Sequence, residues 1–279
     1  MTVRQTITLL SVLCFSIVLS QGCNCRKPNG GDDDQTLDMG GFPDAVGKIL
    51  VGKCAIAGCH NAASAVNSAS LRLDTWSALF EGGANGAEVI PYAPDFSPLL
   101  YFVNTDPARG IVATPTMPYD ATGINPNPLS EAEYNTLKDW ITNGAADKDG
   151  NVAFSTNPDT RQKIYLTQQG CDLVAVIDGA TGLVMRYIKV GTSPGTESPH
   201  CLRTSADGQY AYVSFLNGTG IQKIDTRTDK VINTATLGTG SWNILYIAPG
   251  DSIVATSDWT SNGRILYARA STMTGIPEY

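Results

Sequence analysis

The chain has 279 residues, with 19 lysines and arginines against 26 aspartates and glutamates, a net charge of −7. That acidity excludes nucleic acid as a partner held through its phosphates, and the length is enough for two domains of ordinary size. Seven cysteines stand against only two histidines, so a histidine directly beside a cysteine pair is informative.

Arg4 followed by the apolar run Ile7 to Leu19 reads as an export signal, too short to span a bilayer. The residues Leu19-Ser20-Gln21-Gly22-Cys23 resemble a bacterial lipoprotein cleavage box. That resemblance implies a signal over residues 1–22 and lipidation of Cys23. Residues 23–42, with Gly30, Gly31, Asp32, Asp33 and Asp34, then read as a flexible tether. An ordinary cleaved signal peptide or an uncleaved anchor is the other reading. Each takes the protein out of the cytoplasm, and the lipoprotein reading places it in the periplasm or cell envelope with membrane contact only through a lipid anchor.

From residue 43 the pattern is helical. Pro43 and Asp44 open a predicted helix with Val46, Ile49 and Leu50 on one face. It runs into Cys54-Ala55-Ile56-Ala57-Gly58-Cys59-His60. Cysteines five apart diverge by about 140° on a helix, so residues 55–58 must leave it as a small arch, with Gly58 supplying the backbone angle other residues resist. Ser97-Pro98 predicts a second helix start. Ser130 and Glu133 form a predicted capping box before the apolar stripe Tyr134, Leu137, Trp140 and Ile141, and Gly144 is the stop.

Two thiols followed at once by an imidazole are what covalent haem attachment requires: each thiol adds to a vinyl group, and the histidine sits beside the iron. A structural disulfide between Cys54 and Cys59 is the plainer alternative, but it gives no reason for His60. Met117, in Thr114-Pro115-Thr116-Met117-Pro118, is the expected second axial ligand, because it is the only methionine between residues 43 and 155 and prolines stiffen its loop. His200 is the rival.

Residues 44–150 resemble the planctomycete-type cytochrome c domain. The resemblance rests on Cys59-His60-Asn61, Leu71-Arg72-Leu73, Gly82-Gly83, Ser97-Pro98-Leu99, Met117-Pro118 and Trp140-Ile141-Thr142-Asn143-Gly144-Ala145. It implies an all-α haem domain over 43–155, carrying haem c on Cys54 and Cys59 with His60 and Met117 as the iron ligands.

Beyond the polar stretch 151–159 the pattern turns to short strands. Ile164-Tyr165, Ile177-Asp178, Thr181 and Val184 recur 47 residues on as Ala211-Tyr212, Ile224-Asp225, Thr228 and Val231, and a weaker copy starts near Ser241. Residues 176–182 and 205–214 resemble the YVTN-type β-propeller repeat, which implies propeller blades over 160–279. About two and a half blades are expected within this sequence, with more beyond it. Cys171 and Cys201 read equally well as a pair or as free thiols.

The expected function is that of an exported haem c electron-transfer protein serving a redox partner protein. The alternative is a surface lipoprotein whose propeller binds a ligand or partner, with the haem as an accessory. No distal acid-base pair is evident for haem enzyme chemistry.

Overall fold

Helices occupy residues 44–142 and strands residues 163–276. The computed structural model describes residues 38–120, 123–155, 160–238, 242–258 and 263–276. The expected export signal, Cys23, Cys25 and most of the tether lie outside them. Among the described residues, no helix is long and apolar enough to cross a membrane.

The helical part departs from an all-α domain. Among the described residues its α-helices are α1 (Asp44–Ile49), α2 (Trp76–Leu79), α3 (Pro98–Val103) and α4 (Glu131–Thr142), of which only α4 exceeds six residues. Most of the segment is irregular, and the regular structure of the chain is mainly β. Eight prolines between Pro91 and Pro128 account for this, since each removes a backbone donor and blocks helix continuation.

α4 forms as its sequence directs. The Ser130 side chain accepts from the Glu133 N–H at 3.3 Å, and a Glu133 carboxylate oxygen accepts from the Ser130 N–H at 2.9 Å. Tyr134, Leu137, Trp140 and Ile141 are buried in one cluster with Phe42, Leu50, Leu79 and Leu100. Burial of Leu137 or Ile141 contributes about 1.5–3 kcal/mol each. After the helix, Gly144 turns the chain at φ +101°, and a Cβ there would lie 2.6 Å from the Tyr92 ring. The indole N–H groups of Trp76 and Trp140 donate to the carbonyls of Ala145 and Ala146, both at 2.8 Å, which fastens this exit. Ser97 stands at the N-cap of α3 without capping it; its hydroxyl accepts from the Ile90 N–H and donates to the Ala93 carbonyl.

The strands form three antiparallel sheets. The first is β1 (Lys163–Gln168), β2 (Leu173–Asp178) and β3 (Val184–Lys189), in that order. The second is β4 (Pro199–Thr204), β5 (Tyr210–Phe215), β6 (Gly220–Asp225) and β7 (Lys230–Thr236). The third is β8 (Trp242–Ile247), β9 (Ile253–Asp258), β10 (Ile265–Arg269) and β11 (Thr274–Ile276). The 47-residue repeat superposes β1 on β5, β2 on β6 and β3 on β7. Its Asp and Thr positions are turn formers: Asp178 accepts from the Thr181 N–H at 3.1 Å, and Asp225 from the Thr228 N–H at 3.2 Å.

The sheets pack face to face. Val174, Val176 and Met185 of the first bury against Ala211, Val213 and Ile224 of the second. Tyr212, Ile221 and Ala235 of the second bury against Leu245, Val254 and Ala268 of the third. These are three sheets in an open stack, the first with three strands and the others with four, where about two and a half blades are expected. The strands β2, β5 and β6 are buried on both faces, as sheets packed face to face require, and closure into a ring requires at least four such units.

Lys163, Tyr165 and Arg186 of the first sheet converge on Asp229 in the β6–β7 turn, at 2.9, 2.7 and 3.1 Å. The outer face of the first sheet meets the helical segment, where the rings of Phe96 and Tyr187 are 4.9 Å apart. Arg186 also donates to the carbonyl of Phe154.

Candidate functional site

The residues Leu50–Cys54 continue α1 as a turn of π-helix, closed by the Ala55 N–H donating to the Leu50 carbonyl at 2.8 Å. Past Cys54 the helix stops and an arch begins. The Cys59 N–H donates to the Ile56 carbonyl at 3.1 Å, and the His60 N–H to the Cys54 carbonyl at 3.1 Å. Gly58 sits at φ +85°, a region that costs any residue with a Cβ.

Asn61 latches the arch. Its amide donates to the Ile56 carbonyl at 2.7 Å, while its oxygen accepts from the N–H groups of Ala63 and Ser64 at 2.9 and 3.1 Å. The Cys59 carbonyl accepts from the hydroxyls of Ser64 and Ser68. Lys53, one residue before the first cysteine, pairs with Glu133 at the start of α4 at 2.7 Å. That ammonium, aided by Ser130, holds the Glu133 carboxyl below its usual range against a smaller burial effect.

The arch opens onto a cleft of about 810 Å³, within the roughly 300–1,000 Å³ typical of cofactor sites. Cys54, Cys59, His60 and Met117 all line it, and so do the apolar side chains of Leu71, Leu73, Leu99, Phe102 and Val103. Both cysteines are free thiols, which removes the disulfide alternative from this structure. Cys54 is only 5% exposed, and burial, helped by the neighbouring Cys59, pushes its thiol up to about 12.

His60 is half-buried, with Nδ1 3.2 Å from the Leu71 carbonyl oxygen. A carbonyl only accepts, so Nδ1 carries the proton of the neutral ring and Nε2 keeps its lone pair. Burial lowers the imidazole's proton affinity, with the Leu71 hydrogen bond a smaller opposing influence. The next turn is pinned by the Leu73 N–H donating to the His60 carbonyl at 2.8 Å.

Met117 lies between two proline-containing peptide bonds that are both cis, Thr114–Pro115 and Met117–Pro118. It packs against the same apolar cluster as Cys54. Its carbonyl accepts from the Asn125 side-chain amide at 3.2 Å.

His200 is elsewhere. It is an exposed residue of β4, its ring nitrogen 2.6 Å from the Gln169 amide, and it does not line the cleft. Cys171 and Cys201 are free, so the pairing alternative for them does not hold here.

One cleft residue escaped the sequence reading. Glu88 lines the cleft and is 6% exposed. Its carbonyl accepts from the Leu99 N–H at 3.0 Å, while no described group hydrogen-bonds its carboxyl. An acid set in the run Gly86-Ala87-Glu88-Val89-Ile90 was the available signal.

No family model matches the sequence, and no curated protein matches it. Among solved structures, the chain is similar to the hydrazine synthase of Kuenenia stuttgartiensis, at 19% identity and a TM-score of 0.37. That likeness covers 41% of this chain and 33% of the other, so the chain spans about a third of that structure's length.

Proposed function

We propose that this chain carries haem c on Cys54 and Cys59 and passes single electrons to and from a redox partner protein, with His60 and Met117 as the axial ligands. The observation that carries the reading is the convergence of these four residues on one cleft, although Met117 is 57 positions beyond His60 in the sequence. The donor set fits the group. Two free thiols flank an arch, an imidazole has Nε2 unprotonated, and a thioether stands on the same cleft wall. Among the described residues no three His, Cys, Asp or Glu side chains cluster to cage a bare ion. Two axial donors are what an iron already held by a macrocycle requires.

When bound, haem supplies an iron that alternates between ferrous and ferric states. The protein's own part is to hold and exclude. The Leu71 carbonyl orients the His60 ring and raises its basicity as a ligand. Leu71, Leu73, Leu99, Phe102 and Val103 keep water from the cleft. A surface with net charge −7 favours encounter with a basic partner. Export and a lipid anchor at Cys23 fit this reading, because the thiols of haem c are joined outside the cytoplasm.

The test is production of the full chain with a cytochrome c maturation system, followed by a denaturing gel stained for haem. The parent should retain stain at its own mass, Cys54→Ala and Cys59→Ala should each keep a single thioether with a red-shifted reduced spectrum, and the double variant should lose all stain. Stain retained in the double variant, or none in the parent, would refute the proposal.

A further inference from the structure

Glu88 is an acid without a partner in an apolar wall. Burying a charged carboxylate that nothing pairs is costly, so a group kept only for packing is better served by an uncharged side chain. It lines the cleft. We infer that Glu88 is the residue that takes up a proton when an electron arrives in this cleft, so that electron transfer by this protein is coupled to protonation. The inference rests on the haem reading above.

An added electron makes the cleft one unit more negative, and a carboxylate in its wall then binds a proton more tightly. The electron comes from a one-electron donor protein and the proton from solvent. One O–H bond forms on Glu88, ferric iron becomes ferrous, and the charge within the cleft is unchanged. Oxidation by the acceptor reverses both.

Other titratable groups on the cleft wall are Lys53, Cys54, Cys59, His60, Tyr119 and Asp120. Lys53 is engaged by Glu133 and the His60 Nδ1 by Leu71. Burial alone raises the Glu88 carboxyl above the usual carboxylate range, with no charged neighbour contributing. From α3, which packs beside it, the backbone N–H of Leu99 meets the Glu88 carbonyl, leaving the carboxyl free.

The experiment measures the midpoint potential of the haem-loaded full chain against pH, for the parent and for Glu88→Gln. The parent should show an interval in which the potential falls toward the one-proton-per-electron limit, about 59 mV for each tenfold drop in proton concentration. In Glu88→Gln that interval should flatten, with the potential near the parent's low-pH limit. A slope equal to the parent's would assign the proton to the haem propionates and overturn the inference.

A second readout does not depend on the variant folding. The parent's reduced-minus-oxidised infrared difference spectrum should contain a protonated-carboxyl stretch, and its absence would also overturn the inference. A chain that takes up no haem refutes the electron-transfer reading and this inference together. Attached haem with an unchanged slope refutes this inference alone.

Discussion

The backbone N–H of Met117 donates to the carbonyl of Phe102 at 2.7 Å, so the loop carrying the thioether is tied directly to α3. Side chains from α3, Leu99, Phe102 and Val103, form part of the same cleft wall. Met117→Ala therefore removes the sulfur and leaves the loop anchored through its backbone. In the haem-loaded protein the long-wavelength sulfur-to-iron charge-transfer band should vanish. The potential should drop by on the order of 0.1 V, a fraction of the ~0.8 V that axial ligation spans. Spectroscopy and potentiometry on the two proteins check this, and an unchanged band would remove Met117 from the site.

The two cleft thiols should differ in reactivity before haem is attached. Burial holds the Cys54 thiol protonated up to about 12, and only the thiolate is nucleophilic. Cys59 is half-buried and Cys171 exposed. With haem-free protein near pH 8, iodoacetamide should modify Cys171 and Cys59 first and reach Cys54 only after denaturation. Peptide mass mapping over a time course reads the order, and early labelling of Cys54 would contradict its burial.

His60 should make the haem-free protein sensitive to acid. Its proton affinity is depressed in the folded chain, so below about pH 6.5 the unfolded chain binds a proton that the folded one resists. The contribution is fully present above that pH and declines as pH falls through it. His60→Gln removes this titration. Denaturant midpoints between about pH 5 and 8 should show the parent losing ground to the variant as pH drops, and a constant difference would exclude the effect.

Asp229 should be a stability residue without influence on the cleft. Its side chain is 1% exposed and faces Lys163 at 5% and Arg186 at 16%. Asp229→Ala removes the carboxylate that balances those two buried cations, which costs about 3–5 kcal/mol. Asp229→Ala combined with Lys163→Met should recover part of the loss. Thermal and denaturant unfolding measure the cost, and a loss under about 1 kcal/mol would show that the ion cluster is solvated.

What the sequence made legible follows from the range of the interactions involved. Local signals translate directly. The Ser130–Glu133 box starts α4, Gly58 turns the arch at φ +85°, and the Asp178–Thr181 and Asp225–Thr228 spacings mark sheet turns. The approach of Met117 to the cysteines was expected from its flanking prolines and its rarity.

Features that depend on distant partners were not legible. Helical periodicity over 43–155 does not carry through the segment, because prolines and side-chain-to-backbone bonds such as those of Asn61 and Ser97 hold much of it in irregular form. The π-turn at Leu50–Cys54 has no local residue code. Glu88 becomes notable only once Leu71 and Leu99 enclose the same space.

The stack of sheets has a polarity. At one end its outer face is engaged through Tyr187 and Arg186 by the segment that bears Phe96 and Phe154. At the other, Ile244, Tyr246, Ile265 and Tyr267 share the face of the third sheet turned away from Leu245 and Val254, and all four are exposed. A neighbouring sheet, from whatever source, that docked on the first end would have to compete with Phe96 and Phe154. Docking on the second would leave Cys54, His60 and Met117 undisturbed. The array is thus directional: the chain's own helical segment covers one end, and the other presents an apolar face.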